Sequence, residues 1–284
     1  MNHPFPVRHA KVNFAQNFYM GYCIMLLGIF CYYIYPYLKP SKIRRYLAPD
    51  AYALVTGATD GIGKGIALEL AKNGFNLVIH GRSKEKLALV TQELKAINPS
   101  CMVVHLLHGE MTLPADLHLS VLVNNVGIGP IERFISSEDF QNTIDLNVTF
   151  PTKLTRSVLP LMQKPALILN VSSYAGLMPP PYLAVYAGTK AYNNAFSIAL
   201  ARELEDVEVI SLIAGSVHTA SNKKQVTFMR PAAGTFAKHV LGIVGCGKKQ
   251  IAPYWPHALQ ILLISLLPER WIDRATKAAM EKEL

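Results

Sequence analysis

The chain has 284 residues, which is enough for one large α/β domain or two small ones. Apolar residues make up 51% of it and charged residues only 17%, and the mean hydropathy of +0.22 is high for a purely soluble protein. No aromatic-basic platform or recognition-helix pattern accompanies the net charge of +9, which argues against nucleic acid and favours a membrane surface and anionic phosphates. The four scattered cysteines form no Cys-x-x-Cys pair and fit free thiols in a reducing compartment.

The N-terminal segment predicts a membrane anchor. No charged residue occurs from Asn13 to Leu38, and a span over about 18–38 suits a bilayer, because about 20 helical residues cross about 30 Å. A cleaved signal peptide is the alternative, but it would have a shorter apolar core and a small-residue cleavage site. Basic residues are denser after the span than before it, which places the rest of the chain in the cytosol. They are Lys39, Lys42, Arg44 and Arg45 after it, and Arg8 and Lys11 before it.

A strand, a glycine-rich turn and a helix then follow one another. Tyr52–Thr56 is apolar and β-prone, and the helix is predicted over 65–73. This order is that of a dinucleotide-binding unit, in which the helix N-terminus receives a pyrophosphate. A merely flexible turn is the alternative, but the flanking strand and helix disfavour it. The predicted cofactor-binding residues of the turn are Gly57, Gly61, Ile62 and Gly63.

The end of the second predicted strand, Asn76–His80, indicates which dinucleotide is bound. Many NAD-binding proteins have an acidic residue there that holds the ribose 2′-hydroxyl. This chain has Arg82, Ser83 and Lys86 instead, which suit a 2′-phosphate. A solvated basic helix start is the alternative. We therefore expect NADPH rather than NADH.

Polar amides follow in the central part of the chain. Asn124 and Asn125 end a predicted strand and are expected to tie the sheet to the cofactor. A long helix is predicted over 138–162, and within it Asn147 is either a structural hydrogen bonder or part of a water relay, the structural role being favoured by the residues alone. His105 and His108 have no third ligand near them in the sequence, so we expect no metal site.

A candidate catalytic set follows the strand that contains 168–171. Tyr186 and Lys190 are four residues apart on a predicted helix, 186–204, so they share a face. The ammonium group is expected to lower the pKa of the phenol, which then donates a proton to a carbonyl oxygen. Ser173 is placed to bind the same oxygen. The pair needs this context, because Tyr35 and Lys39 have the same spacing beside the predicted anchor.

Together these motifs resemble the short-chain dehydrogenase/reductase family over about residues 50 to 267. More narrowly, the chain looks like the membrane-anchored branch that contains very-long-chain 3-oxoacyl-CoA reductases and 17-beta-hydroxysteroid dehydrogenases. The matching positions are Thr56–Gly63, Arg82–Lys84, Asn124–Gly127, Asn147, Ser173, Tyr186, Lys190 and the tail 236–271.

The resemblance implies a role for each matched position. Tyr186 would be the acid/base, Lys190 would lower its pKa and bind the nicotinamide ribose, and Ser173 would orient the carbonyl. Asn147 would hold a water that links Lys190 to solvent. The segment 214–219 would lie beside the nicotinamide amide through Val217 and Thr219.

The chain departs from the family in two places. Ala214 replaces a proline in that segment, which predicts a less rigid loop. The usual aspartate near the adenine has no clear equivalent at 108–110, so the adenine contacts are open.

The C-terminal part predicts a substrate-binding region. A lid is expected over 222–237, where Lys223, Lys224 and Arg230 either meet the phosphates of coenzyme A or form a solvated basic loop. The apolar stretch 257–267 is too short to span a bilayer and would line an acyl channel or lie on the membrane, and 268–284 continues as an amphipathic helix.

The sequence thus predicts a Rossmann-type doubly wound parallel sheet of about seven strands after a transmembrane helix. The expected division is an anchor and basic collar (1–45), the Rossmann domain (46–256) and a C-terminal segment (257–284). The expected activity is NADPH-dependent reduction of a ketone on a long-chain 3-oxoacyl-CoA. A steroid, a ketone of specialised metabolism and a non-catalytic cofactor-binding membrane protein are the alternatives. The expected location is the endoplasmic reticulum membrane, single-pass and facing the cytosol. A homodimer through the long helices is an additional expected partner.

Overall fold

The computed structural model describes the backbone of residues 7–109, 113–114 and 117–284. The chain divides into two compact units that meet between Pro40 and Ser41. The first contains one helix, α1 (Val7–Leu38), in which Pro36 lies inside the last turn. Residues Asn17–Leu38 are apolar and long enough to cross a membrane. This helix is the one candidate span among the described residues.

The second unit is built on a seven-stranded parallel sheet in the order β3-β2-β1-β4-β5-β6-β7. The order reverses between β1 and β4, and in such sheets ligands bind at the carboxyl ends of the strands beside this point. The predicted doubly wound Rossmann fold is therefore confirmed. The strands are β1 (Tyr52–Val55), β2 (Asn76–Gly81), β3 (Val103–Leu107), β4 (Leu119–Asn124), β5 (Met162–Ser173), β6 (Val207–Ala214) and β7 (Gln250–Ile251).

Helices cover the sheet, and its strands are apolar because both faces are buried. Leu54, Leu122 and Ile168 are fully buried on neighbouring strands and belong to one hydrophobic cluster. The helices of this unit are α2 (Gly61–Lys72), α3 (Lys84–Ile97), α4 (Phe140–Ile144), α5 (Phe150–Val158), α6 (Ala184–Glu203), α7 (Ala233–Gly242), α8 (Trp255–Ser265) and α9 (Glu269–Met280).

The prediction of one long helix over 138–162 is wrong. The structure has α4, then one π-helical turn (Asp145–Thr149), then α5 and a 3₁₀ turn (Leu159–Leu161), and Met162 already belongs to β5. Two prolines in the segment fit these breaks, since proline lacks an N–H and favours the first turn of a helix. The π turn inserts an extra residue per turn, and Asn147 lies within it.

The chain enters the second unit through a 3₁₀ turn, Ile43–Tyr46. Ile43 and Tyr46 are both buried. The Tyr46 hydroxyl donates a hydrogen bond to Glu208 Oε2 at 2.5 Å, and Glu208 Oε1 accepts one from the Gly245 N–H at 3.0 Å. This turn is therefore fixed to the start of β6 and to the loop after α7.

Helix α8 buries one side of its first turn and exposes an outer face. Pro256 and His257 are buried, whereas Trp255 and the leucines that follow at helical spacing are exposed. These leucines are Leu259, Leu262, Leu263 and Leu266. These leucines therefore form an outer apolar face on the second unit.

Candidate active site

The glycine-rich turn joins β1 to α2 at the carboxyl edge of the sheet. Gly57 and Gly61 have φ angles of +64° and +56°, which favour glycine. A Cβ atom on Gly63 would lie 2.4 Å from the Gly57 carbonyl oxygen, so the close approach of these two residues requires glycine. Asp60 caps the helix by accepting a hydrogen bond from the Gly61 N–H at 2.6 Å. The predicted turn thus has the shape that a backbone cradle for a pyrophosphate needs.

Asn125 and Thr56 hold this turn against the end of β4. The side-chain amide of Asn125 donates to the Thr56 carbonyl oxygen at 2.9 Å, and the backbone N–H of Asn125 donates to Thr56 Oγ1 at 2.8 Å. Asn124 is placed differently. Its amide nitrogen donates to Thr155 Oγ1 at 2.9 Å and to Asn170 Oδ1 at 2.8 Å, so both of its hydrogens are used in the core. Its side chain supports the sheet rather than the turn.

The basic residues after β2 lie at the start of α3. Arg82 and Lys86 are exposed. The Ser83 hydroxyl accepts a hydrogen bond from the Lys86 N–H at 3.2 Å and donates one to Glu85 Oε2 at 2.7 Å. This bond lowers the pKa of Glu85. Ser83 is therefore the N-cap of α3, and the exposed cationic side chains at this edge are Arg82, Lys84 and Lys86.

His80, at the end of β2, is a contact of the turn that the sequence analysis did not identify. It is buried, and its Nδ1 accepts a hydrogen bond from the Gly57 N–H at 3.3 Å. Its Nε2 lies 3.3 Å from His108 Nδ1, and its ring stacks on Phe150 at 5.0 Å. Burial, and secondly His108, lower the pKa of His80 to about 4. A neutral His80 is what a hydrogen-bond acceptor for Gly57 requires.

Ser173, Tyr186 and Lys190 come together between the end of β5 and the start of α6. Lys190 Nζ lies 5.6 Å from the centre of the Tyr186 ring. Lys190 is only 4% exposed, and burial lowers its pKa to about 8. The backbone of Gly129 lies against the Tyr186 ring, since a Cβ there would be 2.5 Å from the ring. The predicted trio is therefore assembled in one place.

The pKa of Tyr186 differs from the sequence-based expectation. Burial raises it, and a hydrogen bond with Ser173 acts in the opposite direction. A lowered pKa was predicted from the neighbouring ammonium of Lys190. That prediction is wrong for this structure, because burial of the phenol disfavours its charged form more strongly than the surroundings stabilise it.

Asn147 braces the backbone beside this trio. Its amide donates to the Ile128 carbonyl oxygen at 2.7 Å and to Thr189 Oγ1 at 3.0 Å, and its Oδ1 accepts the Ile128 N–H at 2.9 Å. A Cβ on Gly127 would lie 3.0 Å from Asn147 Oδ1 and 3.4 Å from Lys190 Nζ, so both side chains flank this glycine. The fully buried Asn147 thus has a clear structural role, and the water relay stays a prediction.

The loop 214–219 reaches the glycine turn from the other side. A Cβ on Gly61 would lie 3.0 Å from Thr219 Cγ2, so Thr219 closes over the start of α2. Val217 is 4% exposed and anchors the loop. The structure therefore brings together the turn, the trio and this loop along one edge of the sheet. Within the described part of the chain, no group of three or more potential ligands that could hold a metal ion is present.

This fold and this edge define a Rossmann-type oxidoreductase of the nicotinamide-dependent class. Residues 51–229 match the short chain dehydrogenase family, and the chain belongs to that family. It is therefore an enzyme that acts on CH–OH groups and their carbonyl counterparts with a nicotinamide cofactor.

Its relatives agree with the predicted branch. A very-long-chain 3-oxoacyl-CoA reductase from Rattus norvegicus is 36% identical over 253 residues, which cover 82% of this chain and 80% of that protein. One from Pyricularia oryzae is 32% identical over 265 residues, covering 84% of this chain and 78% of that protein. The predicted resemblance to this branch is confirmed.

Solved structures share the fold. A 7beta-hydroxysteroid dehydrogenase superposes with a TM-score of 0.71 at 17% identity, covering 84% of this chain and 99% of that chain. A serine dehydrogenase complexed with NADP+ superposes with a TM-score of 0.60 at 25% identity, covering 71% of this chain and 93% of that chain.

Proposed function

We propose that this protein reduces the ketone of a long-chain 3-oxoacyl-CoA to a secondary alcohol, with NADPH as the cofactor and Tyr186 as the proton donor. One observation carries the proposal: Tyr186, Ser173 and Lys190 meet at the sheet edge where the glycine turn opens. This arrangement supports Tyr186 as a proton donor next to a site for a dinucleotide.

The residues of the turn fit a nicotinamide dinucleotide. The close packing of Gly63 against Gly57 requires glycine at this position, and it brings the start of α2 to the turn, where a helix N-terminus favours a pyrophosphate. When bound, the nicotinamide supplies hydride to the carbonyl carbon. The exposed Arg82 and Lys86 would hold a 2′-phosphate, and the NADP+ complex of the related serine dehydrogenase supports this choice.

The side chains of the trio have separate tasks. Burial raises the pKa of the Tyr186 phenol, which keeps it protonated at neutral pH and ready to donate to the ketone oxygen. Ser173, which shares a hydrogen bond with this phenol, orients the same oxygen. Lys190 holds positive charge beside the ring and binds the nicotinamide ribose. Asn147 keeps the backbone of residues 127–128 in place beside Tyr186 and Lys190.

The relatives and the surface chemistry support an acyl-CoA as the substrate. Both curated relatives described above are very-long-chain 3-oxoacyl-CoA reductases. Beyond the trio, Lys223, Lys224 and Arg230 lie in the segment after the 214–219 loop and would meet coenzyme A phosphates. A candidate membrane span suits a lipid substrate. These observations support a role in fatty acid elongation.

The proposed location is the endoplasmic reticulum membrane, with a single span and the second unit in the cytosol. The apolar stretch Asn17–Leu38 and the basic residues that follow it support this orientation. Washing membranes with alkaline carbonate tests the anchor. The protein is expected in the pellet, and release into the wash would contradict a spanning helix.

A turnover screen in detergent tests the activity. NADPH oxidation is measured with 3-oxoacyl-CoAs of several chain lengths and, in parallel, with steroidal ketones. We expect the highest kcat/KM with the long 3-oxoacyl-CoAs. A preference for steroids would overturn the substrate assignment, and no turnover with any ketone would overturn the reductase.

Tyr186→Phe separates chemistry from binding in the same assay. Turnover should fall at least about a hundredfold, because general acid catalysis contributes about 10² to 10⁴. NADPH binding, followed by nicotinamide fluorescence, should change little. Tyr192→Phe on the same helix is the control, since its hydroxyl contacts Thr152 rather than the trio.

A further inference from the structure

His257 connects two segments that are separate in the sequence. It lies in the first turn of α8 and is 1% exposed. Its Nδ1 accepts a hydrogen bond from the Gly215 N–H at 3.2 Å, and its Nε2 lies 3.1 Å from the Met229 carbonyl oxygen. Because Nδ1 accepts, Nε2 carries the hydrogen and donates to Met229. Both nitrogens of one buried ring are therefore occupied by backbone groups.

The first of these segments is the 214–219 loop at the cofactor side. It approaches the glycine turn through Thr219, which lies against Gly61. A Cβ on Gly215 would be 2.8 Å from the His257 ring, so the loop packs directly on this side chain. His257 thus supplies a fixed point to this loop.

The second segment is a small hairpin in the predicted lid. Thr227 and Arg230 exchange two backbone hydrogen bonds of 2.9 and 3.0 Å, which form the hairpin that contains Met229. The residue before α8, Tyr254, adds a bond from its hydroxyl to the Phe228 carbonyl oxygen at 2.8 Å. The start of α8 therefore holds this hairpin at two successive carbonyl groups.

We infer that His257 is a positioning residue of the enzyme, which sets the cofactor-side loop 214–219 and the hairpin 227–230 at a fixed separation. The inference rests on the proposed function, because it assigns one segment to the nicotinamide side and the other to the substrate side. It assigns His257 no contact with substrate or cofactor. Its effect passes through the Gly215 N–H and the Met229 carbonyl group.

An apolar ring of the same size would not replace this histidine. It would fill the space but remove the partners of the Gly215 N–H and the Met229 C=O, which favours movement of both segments toward water. Burial lowers the pKa of His257, so the ring stays neutral, as its acceptor role requires.

Three substitutions separate the two hydrogen bonds. In His257→Asn the amide oxygen takes the place of Nδ1 and keeps the Gly215 bond, but the side chain is too short for Met229. In His257→Gln the longer amide takes the place of Nε2 and keeps the Met229 bond, but loses Gly215. His257→Phe keeps the ring and loses both. His239→Phe on α7 is the matched control, because that ring packs on Tyr254 at 5.0 Å without forming either bond.

The kinetic readout is the KM for each reactant in the full-length protein in detergent. The loss of one hydrogen bond corresponds to roughly a five- to tenfold change. We expect such a rise in KM for NADPH in the Gln variant, in KM for the 3-oxoacyl-CoA in the Asn variant, and in both for Phe. The control should match the parent.

The structural readout is trypsin cleavage after Lys224 in the 222–230 segment. This readout does not need turnover. Cleavage should be several-fold faster in the Asn and Phe variants, whose hairpin has lost the Met229 bond, than in the Gln variant and the parent. NADPH binding by fluorescence should weaken in the Gln and Phe variants only.

The outcomes distinguish the two proposals. If the parent reduces ketones and His257→Phe changes neither KM nor cleavage, the inference is wrong. It is also wrong if Asn and Gln raise both KM values equally, which would indicate general loosening. If the parent does not reduce any ketone but cleavage follows the expected order, the proposed function fails while the bracing role of His257 remains. If Phe does not fold, the Asn and Gln variants decide.

Discussion

Lys190 Nζ donates a hydrogen bond to the carbonyl oxygen of Val171 at 2.9 Å. This bond fixes the ammonium group of a residue on α6 to the carboxyl end of β5, inside a buried site. Ser172, the next residue of β5, donates a hydrogen bond from its hydroxyl to the Lys190 carbonyl oxygen at 2.9 Å. The cation is therefore held at a set place beside Tyr186, and the protein keeps it there although burial disfavours its charge.

Lys190→Met should make the protein more stable and inactive. The pKa of Lys190 is lowered from 10.5 to about 8, so the charged form is penalised by burial at neutral pH, by about 3 kcal/mol. Methionine has no charge and so avoids this penalty, but it loses the hydrogen bond to Val171, which costs about 1 kcal/mol of stability. Urea unfolding at pH 7 measures the gain. Lys153→Met, at an exposed position on α5, is the control.

The same pKa gives the pH dependence of that gain. Between pH 8 and 10.5 the unfolded chain holds the Lys190 proton and the folded protein does not, so the parent gains stability as the pH rises through this range. The advantage of Lys190→Met should therefore shrink above pH 8. An advantage that stays constant up to pH 10 would contradict a buried ammonium at this site.

Ser173→Ala should move the pH profile of alcohol oxidation to higher pH. The hydrogen bond with Ser173 lowers the pKa of Tyr186 against the larger, raising effect of burial. In the oxidation direction the phenolate accepts the proton, so the rate rises with pH as Tyr186 ionises. Without Ser173 this rise should begin at a higher pH. A profile with an unchanged rise would mean that another group titrates.

Arg82→Asp should shift cofactor preference from NADPH toward NADH. A carboxylate at this exposed position repels a 2′-phosphate and is able to bind a ribose 2′-hydroxyl. The ratio of kcat/KM for the two cofactors should change by at least about tenfold, as expected for loss of a charge-assisted bond. Lys84→Asp makes the same charge change two residues away. Equal shifts in both variants would point to general electrostatics instead.

His80→Phe should weaken NADPH binding by roughly five- to tenfold, because the Gly57 N–H loses its acceptor and the turn loosens. It should also alter acid stability. The pKa of His80 is lowered from 6.5 to about 4. The stability that the neutral ring gives the folded parent is therefore fully present above pH 6.5 and is lost as the pH falls toward 4. That loss amounts to about 3 kcal/mol.

Unfolding at pH 7.5 and at pH 5 measures the part of this loss that occurs above pH 5, about 2 kcal/mol. The phenylalanine variant should lose less stability than the parent between these two values. His105→Phe, an exposed histidine on β3, is the control. A parallel decline in the parent and in His80→Phe would show that other groups dominate acid unfolding.

The sequence predicted those parts of the site in which the positions of the residues depend only on the helix or strand that contains them. The four-residue spacing of Tyr186 and Lys190 needs only a helix, and the structure provides α6. Gly57, Gly61 and Gly63 needed only a strand before them and a helix after them. Position within an element was thus enough to bring these residues to the edge of the sheet.

Residues that act through backbone groups far along the chain were not predictable in this way. His80 binds Gly57, which is 23 residues away, and His257 binds Gly215, which is 42 residues away. A lone histidine in an apolar stretch gives no sign of such partners. The breaks in this segment did have a signal in Pro151, at the start of α5, and in Pro160, in the 3₁₀ turn, but neither proline predicts that the turn around Asn147 is π-helical.

The attachment of Tyr46 to Glu208 has a practical consequence for making a soluble fragment of this enzyme. A fragment that begins at Ser41 would lack the apolar helix α1 and retain the buried Ile43 and Tyr46. Cutting at Ala51, immediately before the first strand, would take the phenol from Glu208 and open a gap beside β6. The few residues after the candidate membrane span are therefore part of the folded second unit rather than a spacer.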